Sequence, residues 1–209
     1  MTNEDIIAIV EQTRAFIQND HFIFTSGRHS SSYFNKDAIY PHTDAIATLC
    51  GEMAQRLTER GVVVDAVVGP ALGGIVLSQW VAHHLTKRSG HEVLGIYTEK
   101  TPENGQRFTR GYDALVAGKR VLVVEDVMTT GGSVRKVIDA VRGAGGTVAH
   151  VSALLNRHPG VITSETIGAS LSTLLELTLE DFDPAACPLC AKGIPINMKI
   201  GKGKELAPR

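Results

Sequence analysis

Apolar residues along this chain recur in two kinds of run, and the two kinds alternate. Val62–Val68, Glu92–Thr98, Lys119–Glu125, Thr147–Leu155 and Thr173–Leu179 are short and rich in β-branched and aliphatic side chains, and each reads as a strand. Four other segments place their apolar residues at helical spacing. The first spans about Asn3 to Asn19, with Ile6, Ile7, Val10 and Ile17 turned inward. The second runs from about Pro41 to Arg60, where Pro suits a first turn and Gly61 a helix end. The other two cover about Ile75–Ser89 and Gly132–Arg142. Strands alternating with helices predict an α/β fold, with a mostly parallel central sheet covered by helices on both faces. With 209 residues and no internal repeat or low-complexity linker, the chain is expected to form a single domain over residues 1–209.

The segment from Val121 to Ser133 carries the most chemistry. Val121 to Val124 suits a strand buried on both faces, and two carboxylates, Glu125 and Asp126, stand where that strand is expected to end. Val127 and Met128 lead into Thr129-Thr130-Gly131-Gly132-Ser133, which feeds a helix carrying Val134, Val137, Ile138 and Val141 on one stripe. Ligands of open α/β sheets bind beyond the carboxyl ends of strands. A loop entering a helix there aims several backbone N–H groups at one spot, which suits a phosphate. Acids beside a phosphate site repel it unless they accept ribose hydroxyls or hold a metal, so the string points to a phosphorylated ribose. It is neither a P-loop, for no Lys follows the glycines directly, nor a Gly-x-Gly-x-x-Gly dinucleotide loop.

Four further segments carry candidate chemistry. Phe24 to Asn35 offers Ser26-Gly27-Arg28 to position an anion, and Tyr33 and Phe34 as flat surfaces for a planar base; a hairpin with core aromatics is the competing reading. Gly69 to Ile75 is a glycine-containing loop between a strand and a helix. Leu154-Leu155-Asn156-Arg157 ends a strand with a guanidinium. Lys100 to Gly111, punctuated by Pro102, Gly105 and Gly111, lacks an apolar period and reads as a mobile loop or an ordinary surface hairpin.

Charge and cysteine usage narrow the classes. Lys and Arg total 21 against 22 Asp and Glu, which offers no electrostatic case for nucleic acid or an anionic membrane. The start, Met-Thr-Asn-Glu-Asp, has no basic n-region, no apolar run approaches a membrane span, and three cysteines are too few for a disulfide framework. A cytoplasmic protein is expected. Cys187-Pro-Leu-Cys190 is half of a zinc site, with no second pair or nearby His to complete it. The eight histidines show no His-x-x-x-His pairing, so no metal ligand is assigned to the protein.

The Val121–Ser133 string resembles the phosphoribosyl-diphosphate (PRPP) signature of type I phosphoribosyltransferases. The Phe24–Asn35 segment is similar to the Ser-Gly-Arg-x-Ser…Phe-Asn signature of the orotate branch, and the Asp183–Pro195 tail to one found in some bacterial and archaeal members. The resemblance runs from about residue 20 to 195. It implies the type I phosphoribosyltransferase fold, with a small hood from about residues 1–40 plus 180–209 and a flexible lid at about 100–111. It implies transfer of ribose 5-phosphate from PRPP to orotate, giving orotidine 5′-phosphate and diphosphate in pyrimidine biosynthesis. Mg²⁺ would be bound mainly through the PRPP diphosphate, and a homodimer would let lid residues reach the neighbouring site. By the same resemblance PRPP is bound by Lys100 and by Glu125 to Ser133, including Val127 and Met128, with Glu125 and Asp126 holding the ribose and Thr129 to Ser133 the 5′-phosphate, and Ala71, Leu72, Gly73 and Gly74 form the diphosphate loop. Tyr33, Phe34, Thr129 and Arg157 bind orotate.

The chain departs from the family pattern at several places. Thr25 stands where a Lys is common, with Lys36 nearby; Leu72 and Gly73 replace Tyr and Lys; Glu99 and Glu103 stand where the lid has Arg and a second Lys. Lys100 matches a lid lysine, and Arg107 or Arg110 is expected to supply the missing charge, so Lys100, Arg110 and Asp126 are the catalytic candidates. A phosphoribosyltransferase for another base, or a silent PRPP-sensing regulator on the same fold, remains the alternative.

Overall fold

A computed structural model describes residues 1–24 and 26–206; Thr25 and residues 207–209 lie outside the description. In chain order the elements are α1 (Asn3–Gln12), β1 (Phe16–Ile17), β2 (Phe22–Ile23), β3 (His29–Ser30), β4 (Tyr33–Phe34), α2 (Thr43–Glu59), β5 (Ala66–Pro70), α3 (Gly73–Ser89), β6 (Leu94–Lys100) and β7 (Gln106–Arg107). Then follow α4 (Tyr112–Val116), β8 (Arg120–Met128), α5 (Gly132–Gly143), β9 (Thr147–Asn156), α6 (Ser164–Ile167), β10 (Leu171–Glu176), α7 (Pro188–Ala191) and α8 (Gly203–Leu206).

Six strands form the central sheet in the order β10-β9-β8-β5-β6-β7, all parallel except the edge pair β6–β7. Alternation along each strand sends successive side chains to opposite faces. Leu122 and Val124 of β8 join a core with Ile46, Leu49 and Met53 of α2 and Leu77 and Val81 of α3. Val121 and Val123 join a second core with Val134, Val137, Ile138 and Val141 of α5. All four β8 residues are fully buried, and each such side chain contributes about 1.5–3 kcal/mol of hydrophobic stabilisation. The chain leaves β5 towards β6 on one side and returns to place β8 on the other, so the carboxyl ends of β5 and β8 flank a topological switch point.

Several boundaries differ from the sequence expectation. The first helix ends at Gln12, because Arg14 takes a positive φ of 54° and Phe16–Ile17 turns into β1. Ile7 is exposed rather than inward. β8 continues to Met128, so Glu125 and Asp126 lie within the strand, along its ladder with β9, and not beyond its end. Residues 100–111 begin as a hairpin, with Glu99 opposite Arg107 and Lys100 opposite Gln106.

Two small sheets sit above the central one. β1 pairs with β4, and β2 with β3. The C-terminal segment is tied to them: His29 and Phe182 exchange backbone hydrogen bonds of 2.9 and 2.7 Å, and the Asn197 and Lys202 N–H groups donate to the carbonyls of His21 and Ile23. The two ends of the chain thus build one small layer.

Candidate active site

A cleft of about 1130 Å³ opens between the carboxyl ends of the central strands and the small layer. Its floor is the β5 loop and the β8 loop. Asp126 is the hub. The Lys36 ammonium donates to its Oδ2, the Tyr40 hydroxyl lies 3.2 Å from Oδ2 and 3.1 Å from the Gly73 carbonyl, and the Val127 N–H donates to Oδ1 at 2.6 Å. Burial pulls the Lys36 pKa down, but the Asp126 carboxylate outweighs it and holds the ammonium above its ordinary value. Burial, followed by the Asp126 charge, pushes the Tyr40 phenol far above its usual range, so it remains a donor.

Glu125 is fully enclosed. Its Oε1 accepts the Asp126 N–H at 3.1 Å, while Oε2 is buried without a hydrogen-bond partner. Burial and the neighbouring Asp126 charge push this carboxyl up to about 8. Such a group suits donation as well as acceptance, the capacity a ribose hydroxyl can use.

Thr129 and Thr130 are exposed at the β8 loop, and Gly131 enters α5 with φ 70°. Thr129 to Ser133 surround a small recess of about 110 Å³ at the N-terminus of α5, where orphan N–H groups and the helix dipole favour an anion. Val127 lines the cleft, whereas Met128 points into the core and contributes its backbone.

The β5 loop brings Ala71, Leu72 and Gly73 to the cleft; the Ala71–Leu72 peptide is cis, and Leu72 is 84% exposed. A Cβ on Gly73 would run into Asp126 Oδ2, so only glycine lets α3 start so close to the hub. Gly74 does not face the cleft. It lies against Gly69 and Pro70, where a Cβ would come within 2.6 Å of the proline ring, and its role is close packing of α3 on β5.

Arg157 and Tyr33 form the opposite wall. The Arg157 N–H donates to the Met128 carbonyl at 3.0 Å, which sets this residue beside Thr129. Its guanidinium lies 4.1 Å over the Phe24 ring, and its Nε is buried with no partner. Burial lowers the Arg157 pKa, opposed by Asp181 and Tyr33, and a guanidinium stays charged throughout. Tyr33 packs 5.3 Å from Phe22 and 6.1 Å from Phe24, ring centre to ring centre. Phe34 is largely a core residue, since alternation in β4 turns it away from Tyr33 and into the α1–α2–α3 core. Arg28 donates to Asp181 Oδ1 at 2.5 Å, and Lys202 closes the wall from the C-terminal side.

Lys100 reaches the cleft but Arg110 does not. Arg110 Nε lies 3.3 Å from Glu99 Oε1, which also accepts the Thr109 hydroxyl at 2.8 Å. Opposite charge at position 99 therefore turns this arginine along the hairpin. Lys36, Tyr40 and Asp181 complete the site and carry no motif of their own; the proximity of Lys36 to the Tyr33-Phe34 segment was the one sequence signal for any of them. One further expectation is corrected. His21 and His29, far from the cysteine pair in sequence, lie against Cys187 and Cys190, and the four ligand atoms fall within 4.8 Å of one another. Their separation along the chain hid the grouping.

With this geometry in place, comparison with known proteins is specific. The phosphoribosyl transferase domain model matches residues 37–173. The orotate phosphoribosyltransferase of Pelotomaculum thermopropionicum is 42% identical over 195 residues, covering 93% of this chain and 95% of that one. That of Caldicellulosiruptor bescii is 36% identical over 206 residues, covering 98% and 100%. Among solved structures, the Mycobacterium tuberculosis orotate phosphoribosyltransferase in complex with PRPP has a TM-score of 0.59 at 22% identity, covering 85% of this chain and 92% of that one, a likeness of fold. No helix among the described residues is long and apolar enough to cross a membrane. The chain belongs to the orotate phosphoribosyltransferase family, built on the phosphoribosyl transferase domain.

Proposed function

We propose that the cleft binds PRPP along its floor and orotate against its Arg157 wall, and transfers the ribose 5-phosphate to the orotate ring nitrogen. The observation that carries this reading is the opposition of two sets of groups across one cleft. Asp126, Glu125 and the Thr129–Ser133 recess suit a phosphorylated ribose; Arg157, with a buried unpartnered Nε, suits a carboxylate on a planar ring.

In this reading the 5′-phosphate takes the N–H groups at the start of α5, and the ribose diol bonds Glu125 and Asp126. Tyr33 and Phe24 flank the orotate ring while Arg157 and Thr129 select its carboxylate and edge. The C–O bond to diphosphate breaks as the ring nitrogen bonds the anomeric carbon, and holding both in line supplies much of the acceleration. Negative charge grows on the leaving diphosphate beside the backbone of Ala71 to Gly73 and the Lys100 ammonium, which stabilise it. The donor set fits magnesium held chiefly by substrate oxygens and water, because Asp126 is already engaged by Lys36 and Tyr40 and Glu125 is enclosed. Bound through the diphosphate, that ion would neutralise charge on the leaving group. The resemblance supports a homodimer in the cytoplasm, with the 100–111 hairpin of one chain covering the diphosphate of the other.

Diphosphate release measured in parallel with orotate, uracil, adenine and hypoxanthine tests the reading. Release with orotate alone is expected; equal or greater release with another base overturns the assignment of the Arg157 wall.

A further inference from the structure

We propose that His21, His29, Cys187 and Cys190 form a tetrahedral Cys₂His₂ site for a structural divalent metal of the zinc class, which fastens the N-terminal hairpin to the C-terminal segment. β2 and β3 place the two histidines as diagonal neighbours on one face of the hairpin, since Ile23 lies opposite His29 and His21 is two residues before Ile23. Cys187 and Cys190 come from either end of the first turn of α7, a spacing that turns both sulfurs to one point.

Three of the four close distances in the cluster fall within the edge lengths of a tetrahedral metal site. His21 Nε2 lies 2.8 Å from His29 Nδ1, and 3.8 Å from each of Cys187 Sγ and Cys190 Sγ; Cys190 Sγ lies 3.4 Å from His29 Nδ1. With zinc bonds of about 2.0–2.1 Å to nitrogen and about 2.3 Å to sulfur, the edges of a tetrahedron measure roughly 3.3–3.8 Å. The two nitrogens would need to part by roughly half an ångström on that scale, and all four ligand atoms lie within 4.8 Å of one another.

The hydrogen-bond inventory argues in the same direction. His21 Nδ1 lies 2.7 Å from the Ile194 carbonyl, which can only accept, so this nitrogen carries the proton. The neutral ring then has one lone pair left, at Nε2. In a metal-free pocket His29 and both thiols would all converge on that single acceptor. A cation at the centre uses all four lone pairs at once. The Ile194 contact also fixes the tautomer and ring orientation, as the outer partner of a ligating histidine does. Two thiolates balance a 2+ ion, so the filled site is neutral, which suits a pocket where His21, His29 and Cys187 are buried. A mixed set of two sulfurs and two nitrogens in tetrahedral array favours zinc over the harder divalent ions.

None of the four residues lines the cleft, although His29 pairs with Ile23 at its edge, so the role of the site is structural. It would clamp residues 166 apart in sequence, and closing so long a loop restricts the unfolded chain strongly.

Untagged full-length protein, purified under reducing conditions, is to be assayed for metal by mass spectrometry and for free thiols. Zinc at close to one per chain is expected, falling to background in Cys190→Ser and in His29→Gln. Cobalt(II) added to chelated wild type should give the visible bands of a tetrahedral ion and thiolate-to-cobalt charge transfer. Chelation should lower the Tm of wild type and leave the Tm of Cys190→Ser unchanged. Fully reduced, folded wild type with no zinc, no cobalt spectrum and no chelator-dependent Tm would overturn the proposal. So would a Cys187–Cys190 disulfide in protein handled without reductant together with unchanged zinc content in both variants. Should the serine variant not fold, the cobalt titration of wild type decides alone.

Discussion

The floor and the wall of the cleft are built in opposite ways. The floor comes from two short loops, 71–72 and 129–131, each joining a parallel strand to the helix that follows it in sequence. The wall gathers Phe24, Tyr33, Arg157, Asp181 and Lys202 from places far apart in the chain. The floor groups hang from the buried central sheet, whereas the wall, apart from Arg157 at the end of β9, is held by two two-stranded sheets and a C-terminal strap. Changes to the floor should therefore act on chemistry with little tolerance, and changes to the wall on base affinity and local stability.

Asp126→Asn should show the largest effect. It removes the charge that Lys36 and Tyr40 answer and the acceptor proposed for the ribose diol, and losing a charged hydrogen bond costs roughly 1.5–3 kcal/mol. Steady-state kinetics should show kcat/KM for PRPP falling by about one to two orders of magnitude, with far-ultraviolet circular dichroism unchanged. Wild-type kinetics in the folded variant would remove Asp126 from the floor.

Arg157→Ala comes next, and it separates wall from floor. The orotate KM should rise roughly tenfold or more, and the PRPP KM should change much less, because the fork meets only the acceptor. An equal rise for both substrates would show that the two surfaces are not independent.

Glu125→Gln sharpens the floor by pH. Glu125 has a folded pKa of about 8 against an ordinary value of 4.5, so the folded state holds its proton more tightly. Its stability contribution is fully present below pH 4.5 and is lost as pH rises through about 8. The glutamine variant should match wild type in thermal unfolding at pH 4.5 and melt higher at pH 8.5; a constant difference across that window would mean Glu125 is ionised throughout.

Arg28→Ala should have the smallest effect. It breaks a partly exposed pair with Asp181, worth about 1 kcal/mol or less. Orotate binding measured by calorimetry should weaken less than in Arg157→Ala; a larger loss would promote Arg28 to a direct ligand.

The same contrast explains what could be read from the sequence. The floor was legible because β8, its acids and the α5 loop are contiguous, so periodicity, glycine placement and charge all speak about one point in space. Even there the strand end was misjudged by three residues, since Val127 and Met128 continue the ladder with β9 past the carboxylates. The wall was legible at Arg157 and Tyr33 only through family likeness. Phe34 touches the cleft but packs largely into the core, because a two-residue strand turns alternate side chains to opposite faces, which composition cannot reveal. Arg110 stands outside the cleft because Glu99 of the hairpin holds it in an ion pair, a contact the sequence does not announce. Lys36 opens a single 3-10 turn and Tyr40 follows it, and beyond the nearness of Lys36 to Tyr33 and Phe34 only the tertiary contact with Asp126 marks them.

The strap over residues 181–202 also sets an order of events during synthesis. A chain emerging amino end first can lay down α2, β5, α3, β8 and α5 and bury much of both cores before residues 181–202 are made. The recess at α5 can then form before Asp181 and Lys202, which line the same cleft as Tyr33 and Arg157, have been added. A nascent chain can therefore have its phosphate-binding floor before it has a complete base-binding wall.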